Sequence, residues 1–128
     1  MTLHKPKDVD SDRCPVRGVL DRLGDRWTIL VLLTLDDSGT LRFTALKAKI
    51  PDVSQRMLAQ TLRRLEQYGL VSRTVYPSIP PKVEYKLTRL GGSFILPLRG
   101  LVSWARSNRH KVRAARAIYQ PPPKQLAL

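Results

Sequence analysis

Residues 50–70 read IPDVSQRMLAQTLRRLEQYGL, and this stretch decides the fold. Pro51 ends any helix that precedes it, and Ser54 offers a side-chain oxygen that can cap a new helix. Three leucines then recur at helical spacing, and Gly69 is the residue type that most readily adopts the left-handed conformation of a helix stop. The stretch predicts an amphipathic helix from Ser54 to Tyr68.

A shorter amphipathic segment lies just before this stretch. Phe43, Leu46 and Ile50 fall on one side of a helix, and the opposite side is polar. Two short helices joined by a tight turn form a helix-turn-helix. Residues 43–68 are typical of this motif.

Two more helices are predicted upstream. Pro15 suits a first helical position, and apolar residues follow it at helical spacing until Gly24. Asp25 can cap a second helix that continues through Leu35. Because its apolar residues point in nearly every direction, we expect this second helix to be central and buried, with a turn at residues 36–39 after it.

Downstream of Gly69, a β-hairpin is predicted. Apolar and polar residues alternate in residues 71–76 and again in residues 82–87. The segment between them, PSIPP at residues 77–81, is too long and too rich in proline for a two-residue turn, so it should project as a loop. A hairpin that follows a helix-turn-helix is a wing.

The last predicted helix is long, and Thr88 can cap it. Its apolar residues recur at about 3.5-residue spacing, and Pro97 would remove one hydrogen bond near its start. This apolar stripe is wider than the core of one chain needs, which indicates a dimer interface. The residues assigned to that interface are Val16, Phe94, Leu98, Leu101 and Trp104.

The predicted fold class is therefore a dimeric winged helix-turn-helix, mainly α with a small β-hairpin wing (α+β). The domain spans residues 12–108. It lies between an N-terminal tail, residues 1–11, and a basic C-terminal tail that contains proline, residues 109–128.

The charge of the chain indicates a polyanionic partner. Lys and Arg number 23 against 10 Asp and Glu, which gives a net charge of +13. No acidic residue occurs after Glu84, so the C-terminal third is purely cationic. Such asymmetry favours nucleic acid, since each neutralised phosphate releases counterions.

The sequence gives little support for a membrane protein, a secreted protein, an enzyme or a metalloprotein. The longest largely apolar stretch, residues 27–35 with Thr28 and Thr34 inside it, is far shorter than the roughly 20 residues that a membrane-spanning helix needs. With no signal peptide and a single cysteine, a cytoplasmic, nucleoid-associated location is expected. We expect no catalytic site and no cofactor. We also expect no metal site, because the conventional soft ligands His4, Cys14 and His110 lie far apart along the sequence.

The helix that begins after Ser54 carries side chains on its outer face that can bind base edges and phosphates. The wing, through Lys82, could follow the minor groove or the backbone. A solvated polar face would have the same composition, but the surrounding helix-turn-helix and wing favour a DNA surface. The predicted DNA-binding residues are Ser54, Gln55, Arg56, Gln60, Thr61, Arg63, Arg64, Arg73 and Lys82.

Cys14 lies between Arg13 and Pro15 at a predicted helix N-terminus. Neighbouring positive charge and the helix dipole both favour the thiolate, the form that reacts with oxidants and electrophiles. A small apolar residue packed at a helix start is the alternative, and the residues alone leave both open. Because this cysteine is the only one, a sensing disulfide would join two subunits or involve a small thiol.

Several sequence blocks carry a family resemblance. They are CPV at 14–16, LDRLGDRWT at 20–28, RF at 42–43, IPDVS at 50–54, LRRLE at 62–66, GLVSR at 69–73 and PPKVEYKLTRLG at 80–91. In this order they resemble the HxlR-type helix-turn-helix regulators, relatives of the MarR-like winged-helix proteins, over about residues 13–106. Asp52 departs from the pattern, since the family often has glycine there.

The resemblance implies a homodimeric transcription regulator, with a repressor expected, that binds pseudo-palindromic double-stranded operator DNA. The first and last helices would form the dimer, and the helix that begins after Ser54 would lie in the major groove as the recognition helix. The two recognition helices of the dimer would lie about 34 Å apart. In several members a cysteine at the position of Cys14 senses oxidants or electrophiles, so an oxidant or small-molecule effector is a further expected partner. The alternative function is a non-specific or architectural nucleic-acid-binding protein, for which the charge would suffice.

Overall fold

The computed structural model describes residue 18 and residues 23–124. Two compact units lie on either side of the Leu96–Pro97 bond. The described elements are α1 (Arg26–Ser38), β1 (Leu41–Arg42), α2 (Phe43–Lys49), α3 (Gln55–Gln67), β2 (Val71–Tyr76), β3 (Lys82–Leu87) and α4 (Arg89–Ile118). They confirm a mainly α-helical chain with a helix-turn-helix, α2 and α3, followed by a β-hairpin.

Helix α1 is the centre of the first unit. Asp25 caps it as predicted, because its Oδ1 accepts a hydrogen bond from the Thr28 N–H at 2.9 Å. Val31, Leu32 and Leu35 are buried at its inner face. The helix runs three residues beyond the predicted end, so the turn predicted at residues 36–39 was wrong in part: only Gly39, at φ 77°, leaves the helix.

The helix-turn-helix packs on α1 through leucines. Leu58, Leu62 and Leu65 of α3 are at most 2% exposed, and Leu46 of α2 is fully buried. Burial of a leucine side chain stabilises a fold by roughly 1.5–3 kcal/mol. This stripe therefore determines which side of α3 faces the core.

Both predicted ends of α3 are confirmed. The Ser54 Oγ accepts a hydrogen bond from the Met57 N–H at 3.0 Å, which satisfies a donor in the first turn. At the other end Gly69 has φ 77°, and the Leu70 N–H donates to the Leu65 carbonyl at 3.0 Å.

The sheet has three antiparallel strands in the order β1-β3-β2. The hairpin of β2 and β3 runs from the Val71–Leu87 pair to the Tyr76–Lys82 pair, so the predicted five-residue tip is confirmed. Strand β1 was not predicted. It has only two residues, too few to show an alternating pattern, and its position depends on pairing with β3.

The start of α4 is fixed against the end of α3. The Thr88 Oγ1 donates to the Gly69 carbonyl at 2.6 Å and accepts from the Gly91 N–H at 3.0 Å, which confirms Thr88 as the cap. The Thr88 N–H also donates to the Leu70 carbonyl at 3.0 Å. Three hydrogen bonds at one residue thus set where the last helix begins.

Helix α4 continues through Pro97 and ends at Ile118. The prediction of a C-terminal tail from residue 109 was therefore wrong for residues 109–118, which are helical. Within the described part of the chain, no helix is long and apolar enough to cross a membrane.

The first predicted helix falls mostly outside the described residues. Gly18 and Leu23 are described, and both are helical. Cys14 and Val16 lie outside the described residues.

Thr61 corrects one prediction. It was assigned to the DNA surface, but its side chain is fully buried, three residues after Leu58 and four before Leu65 on the same stripe. Its Oγ1 has no hydrogen-bond partner among the described residues. Thr61 therefore belongs to the core and not to a binding face.

We expect Thr61→Val to leave DNA binding unchanged and to raise the free energy of unfolding by about 1 kcal/mol. The substitution keeps the shape of the side chain and removes a buried hydroxyl group that lacks a partner. Urea denaturation and a DNA-binding titration of the same sample measure both effects. A weaker affinity at unchanged stability would contradict the burial of this residue.

We expect Gly91→Ala to lower the free energy of unfolding by about 1–3 kcal/mol. A Cβ atom at Gly91 would collide with the Leu70 carbonyl oxygen and lie 3.2 Å from the Leu87 Cδ2. Urea denaturation measures the decrease.

The matched control is Gly92→Ala in the same helical turn. Apart from its chain neighbours and the backbone of its own helix, no described atom lies within 4 Å of a Cβ atom placed at Gly92. Alanine there should stabilise the helix by roughly 0.5–1 kcal/mol. Equal effects of the two substitutions would rule out the close approach as the cause.

Candidate nucleic-acid interface

The outer face of α3 carries a row of polar side chains. Arg56, Gln60, Arg63 and Gln67 are all exposed, and their spacing of four, three and four residues places them on one side of a helix. This side lies opposite the buried leucines. We call these four residues the α3 row.

The α3 row spans about 16 Å along the helix axis at 1.5 Å per residue. It combines two guanidinium groups with two amides, so it offers both charged and neutral hydrogen-bonding groups. Ser54 and Gln55 lie exposed at the N-terminal end of the same helix, close to the start of the row. Helix N-termini favour anions because their first N–H groups are unpaired.

Arg64 points away from the α3 row. Its Nη1 donates to the Asp25 Oδ2 at 2.9 Å, and the two side chains are 33% and 45% exposed. Asp25 therefore caps α1 with one oxygen and binds α3 with the other. Sequence analysis grouped Arg64 with the DNA-binding residues. It did not identify Asp25 as the partner of Arg64, because the two residues lie 39 positions apart in the chain.

A polar cleft separates α3 from the hairpin. It has a volume of about 360 Å³ and is lined by Ala59, Arg63, Glu66, Arg73 and Tyr85. The Arg73 Nε lies 3.5 Å from the Glu66 Oε1, so the predicted DNA-binding residue Arg73 is paired to α3. Sequence analysis missed Glu66, because only the folded chain places it opposite Arg73.

Tyr85 is the partly buried group of this cleft. Burial raises the pKa of its phenol above the ordinary value, the charge of Arg73 opposes that rise, and Glu66 adds to it. The phenol therefore stays protonated at neutral pH and can donate a hydrogen bond. The cleft thus presents two guanidinium groups, one carboxylate and one phenol.

The wing tip presents Lys82 and an apolar residue. Lys82 is exposed at the first position of β3, opposite Tyr76. Ile79 is fully exposed at the tip, and the Ser78 Oγ donates to the Pro80 carbonyl at 2.8 Å within the same loop. The tip therefore offers one cation and one apolar side chain to a partner.

The residues predicted for the dimer interface differ in exposure. Leu101 and Trp104 are 55% and 59% exposed, whereas Leu98 is only 5% exposed and Phe94 is partly buried. Leu98 therefore has little surface left for a partner. Among the described residues of this set, Leu101 and Trp104 have the largest exposed fraction.

Comparison with known proteins agrees with this geometry. The family model for the HxlR-like helix-turn-helix matches residues 22–113. The HTH-type transcriptional regulator YtfH of Escherichia coli strain K12 is 42% identical over 112 residues, which is 88% of each chain.

Solved structures are similar as well. The structure of ytfH from Salmonella typhimurium has a TM-score of 0.72 and 43% identity, and the match covers 84% of this chain and 95% of that chain. The redox regulator HypR in its reduced form has a TM-score of 0.72 and 37% identity, with 78% and 98% of the two chains covered. These matches confirm the winged-helix fold class, and the chain belongs to the HxlR-like helix-turn-helix family of transcriptional regulators.

Proposed function

We propose that this protein represses transcription by binding a pseudo-palindromic operator as a homodimer, with α3 in the major groove. The observation that carries the proposal is the α3 row, which is exposed while the opposite side of the same helix is buried. A helix held in this way can present its side chains to base edges.

The chemistry of the α3 row suits base recognition. Arg56 can donate two hydrogen bonds to guanine O6 and N7, and Gln60 can pair with adenine N6 and N7. Each well-formed pair of this kind discriminates against the wrong base by about 1–3 kcal/mol. Lys82, by contrast, would bind phosphates and position the protein without reading sequence.

Arg63 and Arg73 would act together at the edge of this surface. Both line the cleft between α3 and the hairpin, where Glu66 holds Arg73 beside α3. A phosphate that approached the cleft would meet two guanidinium groups and the Tyr85 phenol. The Glu66 carboxylate would keep Arg73 in place before DNA arrives.

Dimerisation would follow from α4. Leu101 and Trp104 leave more than half of their surface exposed, and large exposed apolar side chains mark interaction sites. A two-fold axis would place two α3 helices about 34 Å apart, one turn of DNA. Two half-sites related by that axis form a pseudo-palindrome.

An oxidant response through Cys14 is the regulatory part of the proposal. It is supported by the cationic sequence around Cys14 and by the similarity to a redox regulator, HypR. Oxidation of the Cys14 thiolate would change operator affinity. The single cysteine restricts a disulfide to a second subunit or a small thiol.

A non-specific nucleic-acid-binding protein is the second candidate. The net charge of +13 favours it, because phosphate contacts alone supply most non-specific affinity. The two candidates differ in what the α3 row does: a regulator needs it for preference between sequences, and a non-specific protein needs only its charge.

We expect replacement of Arg56 and Gln60 by alanine to abolish operator preference. Removal of each base-reading side chain should cost about 1–3 kcal/mol on operator DNA, while affinity for a scrambled duplex should fall much less. The operator is first selected from random-sequence DNA with the unmodified protein. Fluorescence anisotropy on both duplexes at one salt concentration then measures the change.

The control for this experiment is Arg64→Ala. It removes a charge from the same helix, but Arg64 is bound to Asp25, so operator preference should persist and stability should fall by no more than about 1 kcal/mol. Equal weakening of both duplexes by the Arg56 and Gln60 substitutions would favour the non-specific protein.

We expect diamide to change the operator affinity of the unmodified protein and to have no effect on Cys14→Ser. Diamide oxidises thiols, and Cys14 is the only one in the chain. A reducing agent should restore the original affinity. If the serine variant responds to diamide as the unmodified protein does, Cys14 is not the sensor.

A further inference from the structure

The C-terminal half of α4 carries four exposed arginines on one side. Arg106, Arg109, Arg113 and Arg116 follow one another at spacings of three, four and three residues. At about 100° per residue these positions fall within an arc of about 80°. We call these four residues the α4 ridge.

The α4 ridge is a continuous cationic surface. Ten residues separate Arg106 from Arg116, which corresponds to about 15 Å along the helix axis. In the described part of the chain, no carboxylate forms an ion pair with these four residues. The sequence offers none nearby, since no acidic residue occurs after Glu84.

Helix stability does not account for the α4 ridge. Like charges three or four residues apart destabilise a helix by a few tenths of a kcal/mol per pair, and the ridge contains three such neighbouring pairs. The negative end of the helix dipole favours cations only within the last turn, which includes Arg116 but not Arg106 or Arg109. The arrangement therefore lowers helix stability in the free chain.

The positive charge of the α4 ridge also indicates which kind of partner it can bind. Two copies of the ridge would repel each other, so it does not suit contact with itself in a dimer. Guanidinium groups bind phosphates through two parallel hydrogen bonds. A DNA duplex carries one negative charge per about 1.7 Å of its axis, so a ridge of this length meets several phosphates in any register.

We propose that the α4 ridge binds the phosphate backbone of duplex DNA independently of sequence, as a second contact besides α3. The proposal takes its partner from the proposed function and adds a separate surface to it. The second contact would increase affinity for all duplexes equally and leave the preference for the operator to α3.

The test replaces all four arginines by glutamine in the full-length protein. Glutamine has a helix propensity close to that of arginine and no charge. Affinities for the operator and for a random duplex are measured between about 50 mM and about 200 mM salt. The slope of log K against log salt should become shallower by about 0.9 for each phosphate that is no longer neutralised, or about 3.6 for each subunit if all four of its arginines bind phosphates.

Three results support the proposal when they occur together. The slope falls by the same amount on both duplexes, the ratio of the two affinities stays constant, and a matched variant with four Arg→Lys substitutions keeps most of the slope because it keeps the charge. Circular dichroism and sedimentation of both variants show whether helix content and assembly are unchanged.

An unchanged slope on both duplexes would overturn the proposal. So would a glutamine variant that binds DNA normally but no longer binds vesicles containing phosphatidylserine, because that result would assign the α4 ridge to an anionic membrane surface. The random duplex tests the ridge even if the unmodified protein shows no operator preference, which would be a failure of the proposed function alone.

Discussion

Burial of the leucine stripe on α3 is the constraint on which the rest of the structure depends. Leu58, Leu62 and Leu65 have at most 2% of their surface exposed, so rotation of α3 would expose several apolar side chains at once. Each would cost roughly 1.5–3 kcal/mol. The residues on the far side are fixed by the same packing, because helix geometry places Arg56 and Gln60 opposite the leucines. The core therefore determines the functional face without any contact to a ligand.

Polar contacts add precision at the C-terminal end of this helix. Asp25 caps α1 and binds Arg64 with its second oxygen, while Thr88 binds the carbonyl group of Gly69 just after α3. An exposed ion pair contributes about 1 kcal/mol or less and a typical hydrogen bond about 0.5–1.5 kcal/mol, so these contacts alone do not hold the fold together. They restrict how α3 can shift along or across its neighbours.

The sequence predicts the helices and strands that follow from the periodicity of apolar residues and from capping side chains. Ser54, Asp25 and Thr88 were identified as caps because a side-chain oxygen before an apolar run has a local physical role. Features that depend on tertiary contacts were missed or misassigned: the partner of Arg64, the carboxylate Glu66 opposite Arg73, and strand β1, whose two residues pair with β3. Thr61 was misassigned for a different reason. Its spacing from Leu58 and Leu65 in the sequence already places it on the leucine stripe, but its hydroxyl group suggests an exposed position. Residues 109–118 were assigned to a tail because they lie beyond the blocks that carry the family resemblance, which extends to about residue 106.

The two cationic surfaces differ in composition, and this difference separates their roles. The α3 row alternates arginine with glutamine, and an amide both donates and accepts hydrogen bonds, as base edges require. The α4 ridge contains only arginines, which donate hydrogen bonds and accept none. A surface of cations alone binds phosphates well, but without neutral groups free to match donors and acceptors it has little means of distinguishing an A·T pair from a T·A pair. Total charge would therefore govern how tightly this protein binds any duplex, whereas Arg56 and the neutral side chains of the α3 row would govern which duplex it prefers.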